Sequence, residues 1–154
     1  MNVEIEVASA ATPALRDALN RLVPQLSSSA KPLTDDDVAR LTSDPDVTLF
    51  VATNDGVIVG TLTLVVFAIP SGHRAWIEDV IVDTDARGLG IGAALTLAAI
   101  DEGRRRGVRT IDLTSRPSRE ADNALYRKLG FETRDTNVYR FFIESPRNIS
   151  SVKV

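Results

Sequence analysis

The chain has 154 residues, 44% hydrophobic and 25% charged, a globular balance that excludes a disordered or fibrous protein and suits one domain. Its net charge of -3 lacks the electrostatic footprint of a nucleic-acid binder, and the absence of cysteine excludes disulfides, thiolate nucleophiles and the usual structural zinc sites. The single histidine, His73, follows Pro70-Ser71-Gly72 and reads as a turn residue, which disfavours a histidine-rich metal site or a Ser-His-Asp triad.

The first residues lack the basic start and apolar run of a signal peptide, and no apolar stretch reaches the roughly 20 residues of a membrane helix, so the expectation is a cytoplasmic protein with no membrane partner. Residues 3–8 alternate Val and Ile with Glu, the period of a half-buried strand. Thr12-Pro13 offers an N-cap and a first-turn proline for a helix that Pro24 should end. Thr34 before Asp35-Asp36-Asp37 reads as a second helix start, with carboxylates placed to complement the dipole rather than to hold a metal.

Residues 47–53 and 57–69 are rich in β-branched side chains, and Asn54-Asp55-Gly56 between them predicts a hairpin. A turn at Pro70-Ser71-Gly72 leads to a strand over 74–82 and completes an antiparallel meander. Residues 91–106 suit a helix packed on this sheet, with Asp101 and Arg105, and Glu102 and Arg106, at the i,i+4 spacing. Arg104-Arg105-Arg106 before Gly107 reads as a C-terminal cap rather than a nucleic-acid patch. A short strand over 110–114, a helix over 120–129 stopped by Gly130, and strands over 131–134 and 137–143 follow, with a frayed tail over 144–154. The order predicts an α+β domain over 1–143: a mixed, mostly antiparallel sheet of about seven strands flanked by about four helices, with one βαβ crossover.

The chemistry-bearing segment is Arg87-Gly88-Leu89-Gly90-Ile91-Gly92, between a strand ending at Val82 and a helix opening near Gly90. Glycines let successive N–H groups converge, the helix N-terminus adds partial positive charge and Arg87 a full one, which suits a pyrophosphate. Tight helix-to-sheet packing would use the same glycines. Gly88-x-Gly90-x-x-Ala93 also satisfies a relaxed dinucleotide fingerprint. Against a nicotinamide or flavin protein stand the preceding antiparallel meander, the intervening loop over 83–86, the place of Asp112 inside the next strand and the lack of a second βαβ half.

Val80-Ile81-Val82 with Arg87 to Gly92 resembles the acetyl-CoA signature of the GNAT N-acetyltransferases, Arg/Gln-x-x-Gly-x-Gly/Ala. Asn123-Ala124-Leu125-Tyr126-Arg127-Lys128-Leu129-Gly130-Phe131 is similar to that family's later Leu-Tyr-x-x-x-Gly-Phe block, and two blocks in order are more specific than either alone. The resemblance implies acetyl-CoA as acyl donor, no metal, and a splay between the fourth and fifth strands in which Val80, Ile81 and Val82 meet the pantetheine arm. It implies that Arg87, Gly88, Leu89, Gly90, Ile91, Gly92 and Ala93 hold the pyrophosphate, and that Tyr126 protonates the departing thiolate. An asparagine common about seven residues before the tyrosine is replaced here by Arg119, so Ser118, Arg119 or Asn123 takes that contact.

Transfer to an amine needs a base for the nucleophile as well as an acid for the leaving group. Glu78, shortly before Val80 on the cleft strand, is the expected base, acting directly or through water; Asp79 faces away unless the strand is bulged. Trp76, Arg116, Tyr139 and Arg140 are candidates for the acceptor side. The function implied is direct acetyl transfer to a primary amine of a small molecule or peptide. The alternative is a non-catalytic acyl-CoA-binding sensor or interaction domain, against which the tyrosine at 126 argues. The family resemblance also allows a homodimer.

Overall fold

Antiparallel pairing organises the middle of the chain, as the alternating patterns require. In the computed structural model, which describes residues 2–144, β1 (Val3–Val7), β2 (Val47–Asn54), β3 (Val57–Ile69) and β4 (Gly72–Val82) pair antiparallel in that order. β5 (Thr110–Asp112) adds to β4 in parallel, so the sheet order is β1-β2-β3-β4-β5. The β2–β3 turn places Asp55 and Gly56 at φ values of 49° and 81°, the left-handed pair that a tight hairpin of matching twist demands.

Four α-helices occur among the described residues. The Thr12 side chain accepts from the Leu15 amide at 3.1 Å to start α1 (Pro13–Leu22), whose Leu15, Ala18, Leu19 and Leu22 are buried. A short 3-10 turn, Val23–Gln25, then carries Pro24. Thr34 and Asp37 form a reciprocal capping box that opens α2 (Asp35–Ser43). α3 (Ile91–Arg105) crosses from β4 to β5 and buries Ile91, Leu95, Ala99 and Gly103, a stripe of strict i,i+4 spacing. α4 is Glu120–Lys128.

The sheet is covered on both faces. Phe50, Ala52, Leu62, Leu64, Ala75 and Ile77 pack with the α3 stripe, whereas Leu49 and Val51 pack with Leu15, Leu19 and Val38 of α1 and α2. Gly60 on β3 makes the first contact close: a Cβ there would lie 3.0 Å from Ile91 Cγ2 and 3.2 Å from the Ile81 carbonyl oxygen. Absence of a side chain at Gly60 therefore lets the start of α3 rest on the sheet.

The ladder between β3 and β4 shifts once. Thr63 pairs with Glu78 and Thr61 with Ile81, so Asp79 and Val80 together oppose Leu62, and Asp79 takes a φ of 49°. This bulge changes the parity of β4. Ile77 points to α3 before it, whereas Val80 and Val82 join that face after it.

Five strands rather than about seven make up the sheet among the described residues, because a strand needs a partner as well as β-forming side chains. Residues 131–134 and 137–143 form no ladder. Phe131 packs against the core on the α3 face and its amide donates to the Tyr126 carbonyl of α4 at 3.0 Å, and Arg134 pairs with Asp112 at 3.9 Å; among the described residues the segment makes no other hydrogen bond or ion pair to the domain. Val138, Tyr139, Phe141, Phe142 and Ile143 are all exposed. The expected tail beyond Glu144 lies outside the described residues.

Candidate active site

β5 runs beside β4 for only three residues, Arg74 to Trp76, and among the described residues β4 beyond Trp76 has no strand partner on that edge. The strand's last residues therefore border a gap in the sheet. A cleft of about 760 Å³ opens there, walled by Val80, Ile81 and Val82, by the turn and first residues of α3, and by Ser118, Arg119, Asp122, Leu125 and Tyr126 at the α4 end.

At the mouth of α3, Gly88 and Gly90 have φ values of 81° and 74°, and a Cβ at either would meet no protein atom within 4 Å. Glycine is required by the backbone rather than by crowding, and the space beside it is open. Among the described residues, no backbone or side-chain acceptor takes the amide hydrogens of Gly88, Leu89, Gly90, Ile91, Gly92 or Ala93, and the first bond of the helix runs from Ala94 to Gly90. Arg87 lines the same cleft and has no carboxylate partner among the described residues. Unsatisfied amides at a helix N-terminus beside a guanidinium make an anion site, and the open space beside the glycines suits a diphosphate.

Most of the expected cofactor residues meet here: Val80, Ile81, Val82, Arg87, Gly88, Gly90, Ile91, Gly92, Ala93 and Arg119 line the cleft, as does Tyr126. Leu89 does not, its side chain being exposed. Asn123 stands behind the wall, its Nδ2 donating to the carbonyls of Arg116 at 2.9 Å and Arg119 at 2.8 Å. It thereby shapes the turn that presents Ser118 and Arg119. Gln25 and Leu26 also line the cleft, although neither carries a sequence signal for it. Gln25 Oε1 accepts from the Thr84 amide and hydroxyl, both at 3.0 Å, and Arg21 pairs with Asp83, so the end of α1 is fastened to the approach of the glycine turn.

Tyr126 packs edge-on against Phe131, with centroids 5.8 Å apart and ring planes at 67°. Burial, and secondarily the nearby Asp122 carboxylate, push the phenol's pKa above the usual tyrosine range. The group is thus a neutral O–H at physiological pH.

The family model described as "Acetyltransferase (GNAT) family" matches residues 13–131. The chain belongs to this family. Among curated relatives, a mycothiol acetyltransferase of Saccharomonospora viridis is 47% identical over 57 residues, 37% of this chain and 19% of the relative. A second mycothiol acetyltransferase, of Paenarthrobacter aurescens, is 35% identical over 97 residues, 62% of this chain and 30% of the relative. The GNAT chain thus spans less than a third of the curated relatives it matches. Among solved structures, a protein of Agrobacterium tumefaciens str. C58, provisionally named an acetyltransferase, superposes with a TM-score of 0.79 at 25% identity, covering 90% of this chain and 99% of that one.

The GNAT domain has a second cavity, of about 460 Å³, on the other side of Ile81, which walls both spaces. It lies between the helical pair α1–α2 and the sheet, with Thr61, Thr63 and Asp79 on its floor. The bulge brings Asp79 to this face. Glu78 pairs with Thr63 beside the cavity without lining it, and its Oε1 accepts from the Trp76 indole at 2.7 Å. Arg116, Tyr139 and Arg140, expected on the acceptor side, line neither space, and Tyr139 is 89% exposed.

Proposed function

We propose that this GNAT-family protein is an N-acetyltransferase that moves the acetyl group of acetyl-CoA directly to a primary amine of a small molecule or peptide. The observation that carries the reading is the run of unsatisfied amides from Gly88 to Ala93, beside Arg87, at the end of an unpaired stretch of β4. The names of the mycothiol acetyltransferase relatives and of the structural neighbour agree with acetyl transfer.

As substrate, acetyl-CoA supplies a thioester whose carbonyl carbon accepts the amine nitrogen. The amides of residues 88–93 and Arg87 would hold its diphosphate, and the free edge of Val80 to Val82 would take the pantetheine arm as an added strand does. Arg119 and Ser118 would close the opposite wall. As the C–N bond forms and the C–S bond breaks, Tyr126, kept protonated by its surroundings, would donate its phenolic proton to the thiolate. Glu78, on the sheet face that carries the second cavity, would take the proton lost by the amine through water. Protons and charge balance without an acyl-enzyme, so both substrates bind together.

The test pairs calorimetry with thiol release. Wild-type protein should bind acetyl-CoA and release CoA thiol when amines are added; Arg87→Ala should weaken donor binding, and Tyr126→Phe should slow release. Absence of donor binding would overturn the proposal. Binding with no turnover on any amine would favour a sensor instead.

A further inference from the structure

The second cavity limits what the acceptor is. Its walls are mostly apolar: Leu19 and Val23 from the α1 segment, Leu33 and Leu41 around α2, Leu49 from β2 and Ile81 from β4. Three carboxylates also line it, but two are committed. Asp37 serves the Thr34 cap and Arg40, and Asp44 Oδ1 accepts from the Asp46 amide at 2.9 Å. Among the described residues Asp79 has neither a hydrogen-bond donor nor a cation on its carboxylate. Arg40 is neutralised by its pairing with Asp37, and Lys31 adds a further cation to the lining.

Asp79 also holds a φ of 49°, which costs a non-glycine residue about 1–3 kcal/mol and persists where the surroundings impose it. The conformation sets an exposed, uncommitted carboxylate at the edge of an apolar-walled cavity that shares a wall, Ile81, with the donor cleft. An ammonium group on a compact apolar body answers this combination. Its charge meets Asp79 while its hydrocarbon displaces water from the leucines and Val23. A second or third ammonium would find Asp37 and Asp44 already engaged, would lie largely among aliphatic side chains and would be repelled by Lys31.

Resting on the acetyltransfer reading, we infer that the acceptor is a primary amine carried on a compact apolar body with a single positive charge, bound through its ammonium by Asp79, and not a polycationic amine. The bound ammonium must then lose one proton, by way of water to Glu78, before its nitrogen attacks the thioester carbon; as the C–S bond breaks the sulfur takes the Tyr126 proton, and the second proton shed by the acylated nitrogen passes through water to the Tyr126 phenolate.

The experiment measures acetylation by the full chain of 2-phenylethylamine and 3-methylbutylamine against spermidine and kanamycin. The apolar monoamines should exceed the polycations in kcat/KM by at least about tenfold. Asp79→Asn, which tolerates the same backbone, should raise the monoamine KM by about 10- to 100-fold and leave the acetyl-CoA KM unchanged. Asp79→Gly should fold at least as stably and lose the same amine affinity, whereas Asp79→Glu should restore part of it. Preference for the polycations, or unchanged monoamine KM in Asp79→Asn, overturns the inference. So does a protein that binds acetyl-CoA yet acetylates neither monoamine. Should donor binding itself fail, the acetyltransfer reading falls, and calorimetry of 2-phenylethylamine decides the cavity alone: binding that Asp79→Asn abolishes supports it, and no binding overturns it.

Discussion

Replacing Tyr126 by Phe removes one oxygen and leaves the ring where it is. The aromatic contact with Phe131, at 5.8 Å and 67°, involves the ring alone, and no protein partner of the hydroxyl occurs among the described residues. Stability should therefore change by no more than about 0.5 kcal/mol. Turnover should change far more. A general acid contributes about 10²- to 10⁴-fold. Burial raises the Tyr126 pKa, so the phenol is a weaker acid than a thiol, whose ordinary pKa lies near about 8.5. Proton delivery from it cannot run ahead of C–S cleavage, which places the expected loss near the low end, about 10²-fold in kcat or about 3 kcal/mol. The sign of the pH effect follows from the same shift. The acid is active while protonated, so Tyr126 should cause no loss of rate as pH rises through neutrality, only a limb above the usual tyrosine range that the Phe variant lacks. Thiol-release kinetics over pH, with donor affinity by calorimetry, give the readout. An unchanged kcat, or a matching loss of donor affinity, would refute the leaving-group role.

Gly90→Val should weaken acetyl-CoA binding by more than about tenfold: its φ of 74° costs a side chain about 1–2 kcal/mol, and the Cβ would project into open cleft space. Calorimetry measures the first effect and urea melts the second. Gly60→Ala should cost about 1–3 kcal/mol, since the new methyl would press on Ile91 and the Ile81 carbonyl; a shifted urea midpoint at constant m-value checks it. Glu102 is held at a pKa of about 2, first by its bond from Arg105 and then by Arg106 against the cost of burial. A folded pKa below the unfolded value stabilises above the unfolded pKa and is lost as pH falls from about 5 toward about 2. Glu102→Gln should thus cost about 1 kcal/mol at pH 7, Arg105 being exposed and screened, and nothing near pH 2.

Local grammar was legible in the sequence and tertiary partnership was not. Thr12, Thr34 and the Asp55-Gly56 turn act on amides a few residues away, and all three fall where they were expected. The glycine turn was legible for the same reason, and Tyr126 through the Leu-Tyr-x-x-x-Gly-Phe block. Residues 137–143 have strand-forming side chains but find no ladder, because whether a partner edge is available depends on distant segments. Gln25 is held at the cleft by the Thr84 amide and hydroxyl, which donate to its Oε1 across 59 residues of chain. Period-two reasoning sent Asp79 away from the site, with the bulge noted as the exception, and the bulge is what the structure shows.

That single extra residue separates foldability from function, and its deletion tests the separation. Thr63 pairs with Glu78 and Thr61 with Ile81, leaving Leu62 opposite both Asp79 and Val80. Removing Asp79 sets Val80 alone against Leu62, so Glu78, Val80, Ile81 and Val82 all keep the faces they now occupy. A deletion elsewhere in β4, other than at Val80, would invert one end of the strand and expose Ile77 or Ile81, both buried. The Asp79 deletion should instead fold, with stability unchanged or raised by up to the about 1–3 kcal/mol held in its left-handed backbone. It should nevertheless lose amine acetylation, because the carboxylate is gone and the kink that turns β4 between the two cavities is straightened. A thermal melt paired with thiol release decides the matter: a stability loss of several kcal/mol would mean that the bulge supports the sheet, and retained acetylation would mean that neither the kink nor the carboxylate serves the reaction.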